Sequence, residues 1–137
     1  MELGSTHTYT HAPNHAYKQK LRARVSPIVP ESEKVLEARL RTECTRRGWT
    51  ALKLLSQLHR GLPDRVILVP FGMTFFAEIK TTGKKPTKLQ KHCHEQLREL
   101  GFKVFVIDTT ESLEMALALM DRAVIAERIR REELGEL

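Results

Sequence analysis

Two acids and a lysine near the middle of the chain are spaced so that they could hold a divalent cation. Asp64 precedes one apolar run, and Glu78 and Lys80 lie within the next, FFAEIK. If the runs form an antiparallel hairpin centred on Gly72, Asp64 lies opposite Lys80 and diagonal to Glu78. The two carboxylates and the backbone carbonyl of Ile79 are hard oxygen ligands that suit Mg²⁺ or Mn²⁺. Such a cation lowers the pKa of bound water, and the lysine can orient that water or stabilise phosphoryl oxygens, which together favour phosphodiester hydrolysis.

The same three residues could instead form a cross-strand salt bridge, which contributes about 1 kcal/mol at a surface. A strand written FFAEIK has little structural need for Glu and Lys, however. Asp64 also follows a turn-like segment, Gly61–Pro63, that would fix its position. The sequence therefore favours a built site over an incidental ion pair.

Two further acids lie on the apolar side of the first predicted helix. Leu36, Leu40 and Cys44 mark its apolar stripe, and at 100° per residue Glu33 and Glu37 fall within that stripe. Burying a carboxylate costs several kcal/mol unless it is paired or bound to a cation. One of these acids therefore either pairs with a lysine or arginine or joins the cation site, and the spacing leaves both open.

The net charge of +6 is unevenly distributed along the chain. Residues 31–110 carry fifteen Lys and Arg against nine acids, whereas residues 111–137 carry four against seven. A basic body suggests a polyanionic partner.

The sequence carries no sign of a membrane or secreted protein. No apolar run approaches the roughly 18 residues that span a bilayer, and the N-terminus lacks a signal peptide's apolar core, so we expect no membrane association. Cys44 and Cys93 have no CxxC spacing and fit free thiols in a reducing cytoplasm.

Hydrophobic periodicity and turn residues predict a single mixed α/β domain over residues 31–137, in the order αβββαβα, with helices flanking one sheet. Residues 1–30 are predicted to be a flexible basic arm, with Lys18–Arg24 as its charged part and His7, His11 and His15 in a polar tail. The predicted elements are a helix at Glu31–Arg47, strands at Trp49–Leu55, Arg65–Pro70 and Thr74–Lys80, a helix from the N-cap Thr87 to Leu100, a strand at Lys103–Asp108, and a helix from Thr110 or Ser112 to about Arg131.

The last two helices carry the remaining expectations from periodicity. The stripe Leu89, Cys93, Leu97 and Leu100 predicts the buried face of the second helix, with His92 and His94 facing solvent and Gln90 about 100° off the stripe. On the final helix, the apolar side chains either cap the sheet or supply a dimer surface. These side chains are Leu113, Leu117, Met120, Val124 and Ile125.

Five ordered motifs over about residues 31–115 resemble the VRR-NUC (virus-type replication-repair nuclease) domain of the PD-(D/E)XK superfamily, in its stand-alone phage or bacterial form. These motifs are Glu33-x3-Glu37-x2-Leu40 followed by Gly48, the segment RGLPDR at 60–65, FAEIK at 76–80, GKKPTKLQ at 83–90 and LGFKVFVI at 100–107. Lys88 departs from the proline that small members often have before Leu-Gln. The resemblance implies a restriction-endonuclease-like core.

The resemblance also implies roles for individual residues. Asp64 and Glu78 would be metal ligands, Lys80 the catalytic lysine, and Gln90 an active-site residue near the phosphate or metal. Glu37 is favoured over Glu33 as the helical acid of the metal site, because it lies about three turns before the glycine that closes the helix. All of these positions hold the residue types that catalysis needs, which argues against an inactive version.

The implied activity is that of a Mg²⁺- or Mn²⁺-dependent, structure-specific DNA endonuclease. Small stand-alone members resemble Holliday-junction resolvases that act on branched DNA as homodimers, and a flap or fork nuclease, a nickase and a non-catalytic DNA-binding module are the alternatives. Aromatic side chains that could stack on bases are few, and nothing in the sequence indicates direct base readout. We therefore expect recognition of DNA shape or branching rather than of base sequence. The residues expected to contact DNA phosphates are Arg60, Arg65, Lys84, Lys85, Lys88 and Lys91.

Overall fold

A computed structural model describes residues 29–55 and 59–137. The predicted basic arm and its histidines lie almost entirely outside the described residues. The order αβββαβα is confirmed, with helices and strands at α1 Glu33–Arg46, β1 Thr50–Lys53, β2 Arg65–Leu68, β3 Thr74–Ile79, α2 Lys88–Glu99, β4 Lys103–Ile107 and α3 Thr110–Glu133. No helix in this part of the chain has the length and apolarity needed to cross a membrane.

The four strands form one mixed sheet in the order β1-β2-β3-β4. The first three strands are antiparallel, and β4 runs parallel to β3 because α2 connects them as a crossover. Helices cover both faces. The main core lies between the sheet and the pair α1 and α3, and it contains Leu36, Leu40, Ile67, Ala77, Ile107 and Leu117.

The β2–β3 hairpin is centred one residue earlier than predicted. Arg65 pairs with Ala77 and Leu68 with Thr74, so the centre is Phe71 rather than Gly72. The cause is a 3₁₀ turn at Pro70–Gly72 in which Phe71 adopts a positive φ of 67°. Asp64, one position before Arg65, therefore comes opposite Glu78 and not opposite Lys80.

The two faces of β3 are divided as the alternation predicted. Phe75, Ala77 and Ile79 are buried in the core beneath α1 and α3. Phe76 turns to the other face, where its ring packs edge-on against Phe102 at 5.4 Å between centroids. Glu78 shares that second face, which α2 covers.

The final helix caps the sheet. Leu113, Leu117, Met120 and Val124 are all buried in the core, so they cannot form the dimer surface that was one of the two predictions for this helix. Ile125 remains exposed. The N-cap of this helix is Thr109 rather than the predicted Thr110 or Ser112, because Thr109 and Ser112 form a capping box.

Candidate active site

Asp64 is held at the end of β2 by backbone hydrogen bonds on both sides. Its carbonyl accepts a hydrogen bond from the Leu54 amide at 2.8 Å, which continues the β1–β2 ladder. Its carboxylate Oδ2 accepts one from the Ile79 amide at 2.7 Å, across the hairpin. The side chain is therefore fixed beside the neighbouring residue on β3, Glu78.

The loop before Asp64 packs closely against α2. Gly61 has a φ of 89°, and a Cβ atom at this position would lie 2.8 Å from the backbone oxygen of Leu89. Only glycine suits both the conformation and the approach. Pro63, directly before Asp64, is fully buried. The Gly-x-Pro-Asp segment thus places Asp64 at a set distance from the first turn of α2.

Glu78 is the buried centre of the cluster, with 1% of its surface exposed. Its Oε1 accepts a hydrogen bond from Gln90 Nε2 at 2.8 Å and lies 3.2 Å from the ammonium nitrogen of Lys80. The structure therefore brings Asp64, Glu78, Lys80 and Gln90 together at one end of the sheet.

Burial and charge repulsion destabilise the ionised form of Glu78. Loss of solvent and, second, the nearby charge of Asp64 raise its pKa from 4.5 to about 7, although the Lys80 ammonium opposes the shift. Two carboxylates that face each other with only one ammonium beside them favour either a proton or a cation.

Gln90 is positioned by the start of α2. The Gln90 side-chain Oε1 accepts a hydrogen bond from the backbone N–H of Thr87 at 2.9 Å. The backbone N–H of Gln90 donates one to Thr87 Oγ1 at 3.2 Å, and the two hydrogen bonds form a capping box. The carboxamide nitrogen is left to donate to Glu78. Thr87 was predicted to be the N-cap, and the cap also orients the side chain that reaches Glu78.

His94 is the residue of this cluster that the sequence interpretation missed. It was expected to face solvent, but only 1% of it is exposed. Its Nε2 lies 3.7 Å from Glu78 Oε2, and neither atom has a hydrogen-bond partner among the described residues. Burial, together with Arg98 and Lys80, lowers the pKa of His94 and favours the neutral imidazole.

The predicted buried stripe of α2 is confirmed at Cys93 but wrong at Leu89 and Leu100, and this error explains why His94 was overlooked. Leu89 is 50% exposed and Leu100 is 75% exposed. Cys93 and His94 are the buried residues, with Gln90 and Leu97 half-buried on the same side. The helix is rotated so that polar side chains meet the sheet where Glu78 lies. The signal was available, because Gln90 and His94 are four residues apart and so share one face.

Glu37 does not join Asp64 and Glu78. Its carboxylate is bound by Arg65, with Glu37 Oε1 at 3.1 Å from Nε and 2.5 Å from Nη2. Arg65 also donates to the Ala51 carbonyl at 3.2 Å.

The Arg65–Glu37 ion pair lies on the face of the sheet that α1 covers. Arg65 shares its side of β2 with Ile67 in the core, so the pair is on the face opposite the one that carries Glu78. The prediction of Glu37 as a metal ligand and catalytic residue is therefore not supported by this geometry. Glu33, the other candidate, is exposed.

The prediction that Arg65 contacts DNA is not supported by this geometry, because only 7% of this residue is exposed and its guanidinium is bound to Glu37. The other predicted DNA-contact residues are accessible. They lie in the loop before Asp64, in the loop after β3 and on the first turn of α2, at Arg60, Lys84, Lys85, Lys88 and Lys91.

The residues able to hold a cation on the α2 face are the carboxylates of Asp64 and Glu78, with the Ile79 carbonyl as the predicted third ligand. Within residues 29–55 and 59–137, no three His, Cys, Asp or Glu side chains are grouped so as to hold a metal ion. Any cation at this cluster would therefore depend on two carboxylates completed by backbone oxygen and water.

Comparison with known proteins agrees with this architecture. No family model matches the chain. A protein described as "Putative nuclease p44", from Acyrthosiphon pisum secondary endosymbiont phage 1, is 38% identical over 79 residues, which cover 58% of this chain and 85% of that protein. A solved structure described as "VRR_NUC domain" superposes with a TM-score of 0.60 at 23% identity, covering 64% of this chain and 97% of that one. The chain therefore belongs to the VRR-NUC family of nucleases.

Proposed function

We propose that the protein is a divalent-metal-dependent endonuclease that hydrolyses phosphodiester bonds in branched DNA, with a four-way junction as the preferred substrate. The observation that carries the proposal is the pairing of Asp64 with Glu78 beside Lys80, at the end of the sheet from which exposed lysines project.

The cluster fits Mg²⁺ or Mn²⁺ by the chemistry of its donors. Asp64 and Glu78 offer carboxylate oxygens, and Glu78 Oε2 is buried with no hydrogen-bond partner among the described residues. Burial, and then the charge of Asp64, raise the pKa of Glu78 despite the Lys80 ammonium, so additional positive charge would favour the ionised carboxylate. A bound cation supplies that charge, neutralises phosphoryl oxygens and makes water a stronger nucleophile at neutral pH.

Side chains of the protein position the reacting phosphate or water, the Glu78 carboxylate and the flanking DNA. The Lys80 ammonium is fixed beside Glu78, where it can donate to a phosphoryl oxygen or orient the attacking water. Gln90 keeps the Glu78 carboxylate in place through a helix cap. The exposed side chains of Lys84, Lys85 and Lys88 bind the phosphates on either side of the scissile bond and so set its position.

The proposed substrate class follows from the character of these contacts. Phosphate contacts carry no base sequence information, so the flanking lysines favour recognition of DNA shape. Symmetrical cleavage of a junction requires two active sites, and we include a homodimer in the proposal. The apolar side chains that α3 leaves exposed could supply its interface. They are Met115, Leu119, Ile125 and Ile129. We place the reaction in the cytoplasm of a bacterium or phage-infected cell, since the relative above is a phage protein.

The test is cleavage of end-labelled four-way junction, flap, fork and duplex DNA of matched sequence, with Mg²⁺, Mn²⁺ or EDTA. Paired symmetrical cuts in the junction, absent in EDTA, are the expected result. Cuts confined to flaps or forks would support metal-dependent hydrolysis but contradict the four-way junction as the preferred substrate. Binding without cleavage in both metals would contradict the enzymatic proposal and leave a DNA-binding module.

A further inference from the structure

The cluster leaves two buried polar atoms unexplained. Glu78 Oε1 is occupied by Gln90 and Lys80, whereas Glu78 Oε2 and His94 Nε2 have no partner among the described residues. They are 3.7 Å apart, with the side chains 1% and 2% exposed. A buried polar atom without a hydrogen bond costs about 1–3 kcal/mol, so two facing each other are an unusual arrangement.

We propose that His94 is a positioning residue for Glu78, an inference that rests on the proposed function. The imidazole Nε2–H donates to Glu78 Oε2 across a gap that a small side-chain movement closes. Gln90 and His94 then bind the two oxygens of one carboxylate from successive turns of α2, which fixes both its plane and its direction toward Asp64.

The arrangement favours positioning over metal ligation. A neutral imidazole has one N–H donor, which suits an unpartnered carboxylate oxygen. The Asp64, Glu78 and His94 side chains do not group as a three-residue metal site. Outer residues that orient a ligating carboxylate are a recurrent feature of metal sites, and their loss typically lowers metal affinity or activity about 10- to 100-fold.

Purely structural burial would not account for the direction of the ring. Cys93, the adjacent residue on α2, is also buried and fills space without a polar demand. His94 Nε2 instead lies 3.7 Å from the oxygen of Glu78 that accepts no hydrogen bond from the described residues. Its effect should therefore appear in the behaviour of Glu78 rather than only in the stability of the fold.

The experiment compares His94→Gln, which retains an N–H donor at similar reach, with His94→Met, which retains the bulk and loses the donor. His92→Leu, on the exposed side of the same helix, is the control. Each full-length variant is examined by thermal unfolding, by titration with Mn²⁺ alone in a calorimeter, and by cleavage kinetics in Mg²⁺ and in Mn²⁺.

We expect His94→Met to weaken Mn²⁺ binding about 10- to 100-fold and to lower kcat by a similar factor, with KM for DNA unchanged. The loss should be equal in both metals, since the side chain acts through Glu78. His94→Gln should restore most of the binding, and His92→Leu should match the wild type.

Three outcomes would overturn the inference while leaving the proposed function intact. These are unchanged metal binding in a folded His94→Met variant, a loss specific to Mn²⁺ that marks His94 as a ligand, and a folded His94→Gln variant that binds metal poorly. If His94→Met does not fold, His94→Gln decides alone, because the inference requires it to bind Mn²⁺ within a few-fold of the wild type. Failure of the wild type to bind metal and cut DNA would instead contradict the proposed function itself, and the inference with it.

Discussion

Asp64 and Glu78 face each other across the β2–β3 hairpin, and the Asp64 carboxylate accepts a hydrogen bond from the amide that directly follows Glu78, at 2.7 Å. The relationship follows from a hairpin centred on Phe71. It places two carboxylates on the α2 face of the sheet with Lys80 beside them, and it makes the ionisation of Glu78 sensitive to whatever occupies the space between them.

The stability of the metal-free protein should fall as pH rises through the range in which Glu78 ionises. Its pKa is raised from 4.5 to about 7, so the folded state binds the proton more tightly than the unfolded state. The resulting stabilisation is fully present below about pH 4.5 and is lost as pH approaches and passes about 7. Thermal unfolding in EDTA measures this dependence, which Glu78→Gln should remove. If the Tm of the wild type and the Tm of Glu78→Gln depend on pH in the same way across this range, the assignment is contradicted.

Metal binding should show the opposite pH dependence. Protons and a cation compete for Glu78, so apparent Mn²⁺ affinity should rise by up to about tenfold per pH unit below pH 7 and level off above it. Calorimetric titrations at pH values from 5.5 to 8 test this. Equal affinity at pH 5.5 and pH 7.5 would show that Glu78 is not a ligand.

Replacing Lys80 with Met should lower kcat about 100- to 1,000-fold, because it removes the ammonium beside Glu78 that we propose stabilises the reacting phosphate. Glu78 also loses its opposing positive charge, so its pKa should rise further. Lys103→Met, at the exposed start of β4, is the matched control and should cleave like the wild type. Equal activity of the two variants would exclude Lys80 from the chemistry.

The Arg65–Glu37 pair should contribute to stability and not to DNA binding. Arg65→Met leaves the partly buried Glu37 carboxylate unpaired, so we expect a loss of about 3 kcal/mol in urea unfolding. The double variant Glu37→Gln/Arg65→Met should lose less than the two single variants combined. If Arg65→Met unfolds like the wild type but binds DNA weakly, the guanidinium contacts DNA after all.

The exposed lysines around the site should determine the salt dependence of DNA binding. Each Lys→Gln change at 84, 85, 88 or 91 that removes a phosphate contact should reduce the slope of log K against log salt by about 1. Lys34→Gln, on the far face at α1, is the control. A slope that is unchanged in the fourfold variant would place the DNA elsewhere on the molecule.

The loop before Asp64 should tolerate no Cβ at Gly61. Gly61→Ala meets the Leu89 carbonyl and must shift the loop or α2, so we expect reduced cleavage together with lower stability. Gly83→Ala separates the two causes, because Gly83 has a similar positive φ but open space around it. If both variants lose activity equally, the close approach to α2 does not matter for placing Asp64.

Much of the fold could be predicted from local patterns. Alternation in FFAEIK correctly divided β3 into a core face and a polar face, and Thr87 was identified as the cap of α2. The convergence of Asp64, Glu78 and Lys80 needed only an approximate hairpin register. These features depend on residues that are close in sequence or on the two-residue period of a strand.

The remaining features depend on tertiary contacts that local patterns do not encode. A hairpin centred on Gly72 was predicted, and Gly72 does have a positive φ of 71°. Phe71 also adopts a positive φ, with the Arg131 guanidinium 4.9 Å from its ring centroid, and the strands pair around Phe71. Arg65 looked like a DNA contact because its partner Glu37 lies 28 residues away. His94 was assigned to solvent because apolar residues defined the stripe, whereas a buried carboxylate on the sheet draws polar side chains inward.

The most direct test of the central claim is cleavage of a labelled four-way junction by the wild type and by Glu78→Gln, in Mg²⁺ and in EDTA. Glu95→Gln, an exposed acid on the same helix as Gln90, is the control. If Glu78 holds the metal that cuts DNA, the wild type and Glu95→Gln will cleave in Mg²⁺ only, and a folded Glu78→Gln variant will not cleave. Metal-dependent cleavage that persists in Glu78→Gln would contradict the account.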